Sequence, residues 1–177
     1  MTLSGIVIAE FDEEWTVKFQ LIKQVLNSSL NDLIIGIEHV GSTSVQGLGG
    51  KPILDIDIVI ENYDGFPQVV KELELIGYYH QKEWSFQGRE AFGRKDNTTP
   101  WDGKGTQWVE HHLYVCNKYS KELARHIAFR DYLRSNPQAI SEYETIKMKL
   151  VNTAKERTSY TEGKSEFINN VLRKLMD

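Results

Sequence analysis

The chain has 177 residues, 40% of them hydrophobic and 26% charged, with a formal net charge of −4. That size holds one body with a sizeable core, or a small α/β unit with a helical annex, and excludes two large independent domains. The acidic balance argues against a protein that coats nucleic acid, and a single cysteine, Cys116, excludes an internal disulfide framework. No apolar stretch approaches the roughly 20 residues that span a bilayer, and the N-terminus lacks a basic region followed by an apolar run. A cytoplasmic location without membrane contact is therefore expected.

Thr2 to Glu10 reads as a short strand or an extended arm. From Asp12 to Leu30, Trp15, Phe19, Ile22, Val25, Leu26 and Leu30 recur at helical spacing behind an acidic first turn. Leu33 to His39 follows as a strand. Glu38 to Ile60 then runs EHVGSTSVQGLGGKPILDIDIVI: a Gly-Ser turn, a glycine-rich connection and a strand from Ile53 to Ile60. Strand geometry puts Leu54, Ile56, Ile58 and Ile60 on an apolar face and Asp55 and Asp57 on the other. Phe66 to Ile76 reads as a helix closed by Gly77, Tyr78 to Trp84 and Arg89 to Arg94 as a hairpin, and Lys95 to Thr106 as a surface loop able to act as a lid. Gln107 to Cys116 is a strand with Val109, His111, Leu113 and Val115 on one face and Glu110, His112 and Tyr114 on the other. Three helices complete the chain: one capped by Ser120 and running to Ser135, one from Asn136-Pro137 carrying Ile140, Tyr143, Met148, Val151 and Ala154, and one from the capping-box spacing at Ser159 to Glu162, burying Phe167, Ile168, Val171, Leu172 and Leu175.

This order predicts an α+β fold in which a mixed sheet with flanking helices (1–117) is followed by a three-helix lobe (118–177), the whole forming one domain. The first lobe holds 9 Lys and Arg against 17 Asp and Glu, and the second 12 against 8. Either helices simply carry more lysine, or a polyanionic small molecule such as a nucleotide lies between an acidic, metal-binding lobe and a basic one.

Two carboxylates side by side on a strand repel each other unless a cation or basic partner lies between them. Asp55 and Asp57 thus suit a divalent metal, magnesium or manganese, bridging the phosphates of a nucleotide. Gly41 lets backbone amides approach a phosphate closely and Ser42 adds a hydroxyl; Lys51 stands at the mouth of the same turn. Arg130 and Arg134, one helical turn apart and preceded by His126, form either a phosphate-binding ridge or a solvated face paired with neighbouring acids. Tyr160 and Lys164, at i and i+4, place a stacking ring beside a cation. His112 is a candidate metal ligand or proton carrier, or a hydrogen-bonded sheet histidine.

Gly-Ser, twelve residues, then Asp-hydrophobic-Asp-hydrophobic resembles the signature of the DNA polymerase β-like nucleotidyltransferase superfamily. More narrowly, HVGSTSVQGLGGKPILDIDIVI, with Phe11-Asp12 and Trp15 upstream and FRDYLR (129–134) plus Asn136-Pro137 downstream, resembles the GrpB family over nearly the whole chain. The resemblance implies a nucleotidyltransferase-like fold but no settled reaction. Active members of the superfamily use a third carboxylate on a later strand, here Gln107 to Cys116, where Glu110 is the available acid. The GrpB pattern there resembles His-Leu-His-Val; His112 matches the first histidine and Tyr114 replaces the second. The expected function is metal-dependent binding of a nucleoside triphosphate such as ATP, with nucleotidyl transfer to a small-molecule or protein acceptor. The alternative is a non-catalytic nucleotide-binding or protein-interaction module. The acidic first lobe disfavours long nucleic acid, and neither the acceptor nor the oligomeric state is specified.

Overall fold

A computed structural model describes residues 5–177; the first residues of the predicted arm lie outside them. Of that arm, Ala9 forms an isolated bridge with Gly50. The elements that follow are α1 (Glu14–Leu30), β1 (Gly36–Val40), β2 (Leu54–Ile60), α2 (Phe66–Leu75), β3 (Tyr78–His80), β4 (Glu90–Arg94), β5 (His111–Asn117), α3 (Lys121–Ser135), α4 (Pro137–Thr153) and α5 (Arg157–Met176). The strands form one sheet in the order β1-β2-β5-β4-β3, with β2 and β5 parallel and the other pairs antiparallel.

The alternation in β2 decides how the sheet is covered. Leu54, Ile56, Ile58 and Ile60 are all buried and meet Trp15, Phe19, Ile22, Leu26 and Leu30 of α1 and Val69 and Leu73 of α2 in the main core. Burial of such side chains contributes roughly 1.5–3 kcal/mol each, so this face fixes the register. On the opposite face the helical lobe covers part of the sheet: Val59 and Cys116 pack against Leu123 and Ile127 of α3. Leu133, Ala139 and Tyr143 pack on Val45 and Leu48 of the glycine-rich connection, and Val151 and Tyr160 pack with Ile6 and Ala154.

Several boundaries differ from those expected: the first hairpin arm is a strand only over Tyr78–His80 and turns into a 3-10 helix at Lys82–Trp84, and three others have a clear local reason. β1 starts later because Asn31–Leu33 forms a 3-10 turn, although Ile35 N already donates to Val59 O at 2.8 Å. β5 starts at His111 because Trp108 is drawn into the loop, its amide on Asn97 O at 2.9 Å and its indole on Pro100 O at 2.7 Å. Helix α5 begins at Arg157, before the predicted cap at Ser159, and Glu156 at its N-cap makes no side-chain bond. Two predicted core residues are half exposed, Met148 at 48% and Leu175 at 45%; in α4 the buried position beside Tyr143 and Val151 belongs to Lys147.

Ser120 does cap α3: its hydroxyl accepts from Leu123 N at 3.2 Å and donates to Gly88 O at 2.7 Å. Ser120→Ala is expected to cost about 1–2 kcal/mol in urea unfolding; an unchanged midpoint would mean that the cap contributes nothing.

Candidate functional site

The register brings the predicted residues into rows. Asp55 lies between Val40 and His112, and Asp57 between Glu38 and Tyr114, all on the face turned toward the helical lobe. Each aspartate faces a histidine. His112 Nδ1 is 3.1 Å from Asp55 Oδ1, and His126 Nδ1 of α3 is 2.6 Å from Asp57 Oδ2. The two environments are unequal. Asp55 keeps a third of its side chain exposed, whereas Asp57 is fully buried and its Oδ1 has no hydrogen-bond partner.

The Gly41–Ser44 turn is tied in place from several sides. Gly41 adopts φ +75°, and a Cβ there would run into the Asp55 carboxylate, so glycine is required both by backbone and by space. Arg134 donates twice to Ser44 O, at 3.1 and 2.8 Å. Lys147 Nζ donates to Ser42 Oγ at 3.2 Å and to Gly49 O, while Glu144 accepts from Gly49 N at 2.8 Å. Arg130 is nearly enclosed, with its guanidinium on Glu38 (2.6 Å), Asp131 (2.8 Å) and His39 O (3.1 Å). The ridge is thus divided: Arg130 pairs with the neighbouring Asp131 and also reaches across to β1, whereas Arg134 stays exposed while it holds Ser44 O.

Two cavities meet at Asp55. One, of about 550 Å³, lies between the Gly41-Ser42 turn and α3 and α5, and is walled by His126, Phe129, Tyr143 and Lys164. The other, of about 320 Å³, lies beneath the same turn and is lined by Lys51, Lys147, Arg157, Lys164, Glu110 and His112. Arg130 and Arg134 line neither. In the smaller cavity Lys51 and Lys164 flank the Tyr160 ring at 5.0 and 4.9 Å from its centroid. Among the described residues neither ammonium has a salt bridge.

The electrostatics follow from this crowding. Burial, then the charge of Lys164, brings Lys147 down to about 8. Lys164 is lowered by burial and by Lys51, and Lys51 by burial and by Arg157. Such mutually repelling cations suit a polyanion. His112 is raised, chiefly by its hydrogen bond to Asp55. Burial opposes the charged form of His126, but the hydrogen bond and charge of Asp57, with Glu122 and Asp55, outweigh it and leave that histidine raised too.

Lys147 is not among the residues the sequence predicts for the site, because lysine is ordinarily a surface residue, and His126 figures there only as part of the ridge. The signal for Lys147 was its position four residues from both Tyr143 and Val151. Nothing local marks His126 as the partner of a residue 69 positions away.

The mixed sheet with α1 and α2 on one face, two aspartates on β2 and a helical lobe over the other face is a nucleotidyltransferase-like fold. Cid1, a poly(U) polymerase, shares it in the structure of its complex with the short product ApU, with a TM-score of 0.55 at 10% identity over 80% of this chain and 42% of Cid1. Within that fold the chain belongs to the GrpB family, whose model, described as GrpB protein, matches residues 5–174. The crystal structure of the conserved protein GrpB from Enterococcus faecalis superposes with a TM-score of 0.75 at 28% identity, covering 97% of this chain and 100% of that one. The glutamate-rich protein GrpB of Alkalihalophilus pseudofirmus is 29% identical over 175 residues, 96% of this chain and 95% of that protein. Among the described residues no helix is long and apolar enough to cross a membrane.

Proposed function

We propose that this protein binds a nucleoside triphosphate such as ATP with magnesium or manganese and transfers its nucleotidyl group to a hydroxyl-bearing acceptor, a small molecule or a protein side chain. The observation that carries this reading is the junction at Asp55, beside the unpartnered Oδ1 of Asp57 and under three crowded lysines. The likeness of the fold to Cid1, whose structures include an MgGTP-bound form, supports the substrate class.

A divalent cation fits the two aspartates in a particular way. Among the described residues no three His, Cys, Asp or Glu are grouped to hold a metal. Asp55 and Asp57 would therefore hold it together with substrate phosphates and water, the usual arrangement for magnesium. When bound, the ion neutralises phosphate charge and makes the α-phosphorus more electrophilic. Gly41 and Ser42 orient the phosphates; Lys51, Lys147 and Lys164 receive the departing pyrophosphate, and Tyr160 holds two of these lysines apart. Arg130 and Arg134 reach the phosphates indirectly, by bracing the turn.

His112 stands opposite Asp55, on the strand from which related enzymes take a third acid. With Nδ1 toward Asp55, its Nε2 takes the acceptor's hydroxyl proton. The acceptor oxygen then bonds to the α-phosphorus as the bond to the bridging oxygen breaks and pyrophosphate leaves.

Titration with each nucleoside triphosphate, with and without Mg²⁺, tests the site. Native protein is expected to bind one of them metal-dependently, and Asp55→Asn, Asp57→Asn protein at least about tenfold more weakly, a difference of roughly 1.4 kcal/mol. Equal binding by both would remove the aspartates from the site. Glu110 lines the same cavity as Asp55, but among the described residues no third acid groups with the two aspartates to hold a metal; this favours one competing reading, a nucleotide-binding module without turnover, and metal-dependent binding with no pyrophosphate release for any acceptor would establish it.

A further inference from the structure

A third cavity, of about 620 Å³, runs along the sheet over β3, β4 and β5 and adjoins the other two: His112 and Glu110 border it and the lysine cavity, while Arg89 borders it and the larger one. Its floor is made of small residues. Ala91 and Gly93 of β4 occupy the middle strand, and a Cβ on Gly93 would meet the Tyr79 ring, which lies across it. Tyr79 and Trp84 form one wall, and His112 and Tyr114 the other. Fold stability does not account for the aromatic groups on the first wall, since Trp84 is 65% exposed and Tyr79 48%.

The charges of this groove select against an anion. Its two cations are held by carbonyls and rings: Arg89 donates to Trp84 O at 3.0 Å and stacks on Phe86 and Tyr114, its buried Nε keeping no partner, and Arg94 donates to Thr99 O at 3.2 Å and Asn97 O at 3.3 Å. Asp96 and Glu110 line the same groove and balance them. This is the opposite of the lysine cavity a few residues away. Flat aromatic walls, amide groups and two arginines matched by two carboxylates suit a ring with two stacking faces and free hydroxyls.

We infer that this groove is the acceptor site, and that it takes a neutral, hydroxyl-bearing ring molecule, a nucleoside or a glycoside, stacked on Trp84 and Tyr79 with a hydroxyl toward His112. The acceptor role rests on the transferase reading above; binding in the groove does not. The geometry separates the substrates by charge: the polyanion lies among the lysines, and the neutral ring on the sheet, with Asp55 and His112 between them. The hydroxyl proton passes to His112 Nε2 as described, so no further reactant is needed.

The test is an amide-resolved NMR titration of the full chain with adenosine, uridine, a methyl glycoside and a short oligouridylate, run beside a MgATP titration. A nucleoside or the glycoside is expected to shift the Ala91 and Gly93 amides saturably, the two arms distinguishing the sources of the ring. Trp84→Ala should weaken that binding about tenfold, as loss of a stacking platform does, while MgATP affinity stays within about twofold. Because Trp84 is exposed, the variant is expected to fold, and its unfolding midpoint checks this. No shift in the groove from any ring compound, equal binding by native and Trp84→Ala protein, or shifts from the oligonucleotide alone would overturn the inference. Ring binding without MgATP binding would leave the groove as a binding site and sink the transferase reading, so the two failures are distinguishable.

Discussion

His126→Leu is expected to destabilise the protein by about 3 kcal/mol near neutral pH, because it leaves the enclosed Asp57 carboxylate without the partner that compensates its burial. His126→Gln should cost less, since an amide can still donate to Asp57. The two also differ in pH dependence. A histidine whose folded pKa is raised binds its proton more tightly in the native state, so its contribution is fully present below the ordinary value of 6.5 and is lost as pH rises through the raised one. Native protein should therefore lose more stability across that window than His126→Gln, which keeps only the like contribution of His112. Urea unfolding between pH 6 and pH 9 measures this. A leucine variant within about 0.5 kcal/mol of native would show that Asp57 does not depend on the ring.

Lys147→Met is expected to act in the other direction. Lys147 is 1% exposed and burial brings its pKa to about 8 in place of 10.5, so at neutral pH folding works against the charge by an amount on the order of 3 kcal/mol. Methionine fills a similar volume but gives up the bonds to Ser42 and Gly49 O, so the net gain should be about 1–2 kcal/mol. Here the folded pKa is depressed. The native protein's deficit is complete below about pH 8 and is relieved as pH rises toward 10.5, so the advantage of methionine should shrink over the same range. Phosphate affinity should move oppositely, with MgATP bound at least about tenfold more weakly by the variant, if this charge faces the triphosphate. Thermal unfolding at pH 7 and pH 10, with and without MgATP, separates the two effects. A variant less stable than native at pH 7 would mean that the two hydrogen bonds outweigh the buried charge.

Much of the fold was legible because burial imposes periodicity. The alternation in LDIDIVI fixed both faces of β2, and the spacing of Trp15, Phe19, Ile22 and Leu26 marked the face of α1 that covers it. What periodicity misses is polar groups buried for a purpose. Met148 satisfies hydropathy yet lies outside, and Lys147 violates it yet lies inside, because its ammonium reaches a hydroxyl and a carbonyl 105 and 98 residues away in sequence. Half of the candidate site was equally visible. Asp55, Asp57, Gly41 and Ser42 sit within one contiguous stretch, and local geometry sufficed. Arg130 and Arg134 were legible as a pair but not by destination, since Glu38, His39 and Ser44 become their neighbours only through the packing of α3 on β1 and the turn.

Cys116 has a use unrelated to catalysis. It is the chain's single cysteine, fully enclosed under Leu123 and Ile127, and burial together with the Asp57 charge pushes its thiol up to about 12. A thiol reagent reaches it when α3 lifts from the sheet, the motion that would also separate His126 from Asp57, or when the chain unfolds. The part of the alkylation rate that exceeds global unfolding is thus a built-in clock for the opening of the helical lobe, one that needs no added label.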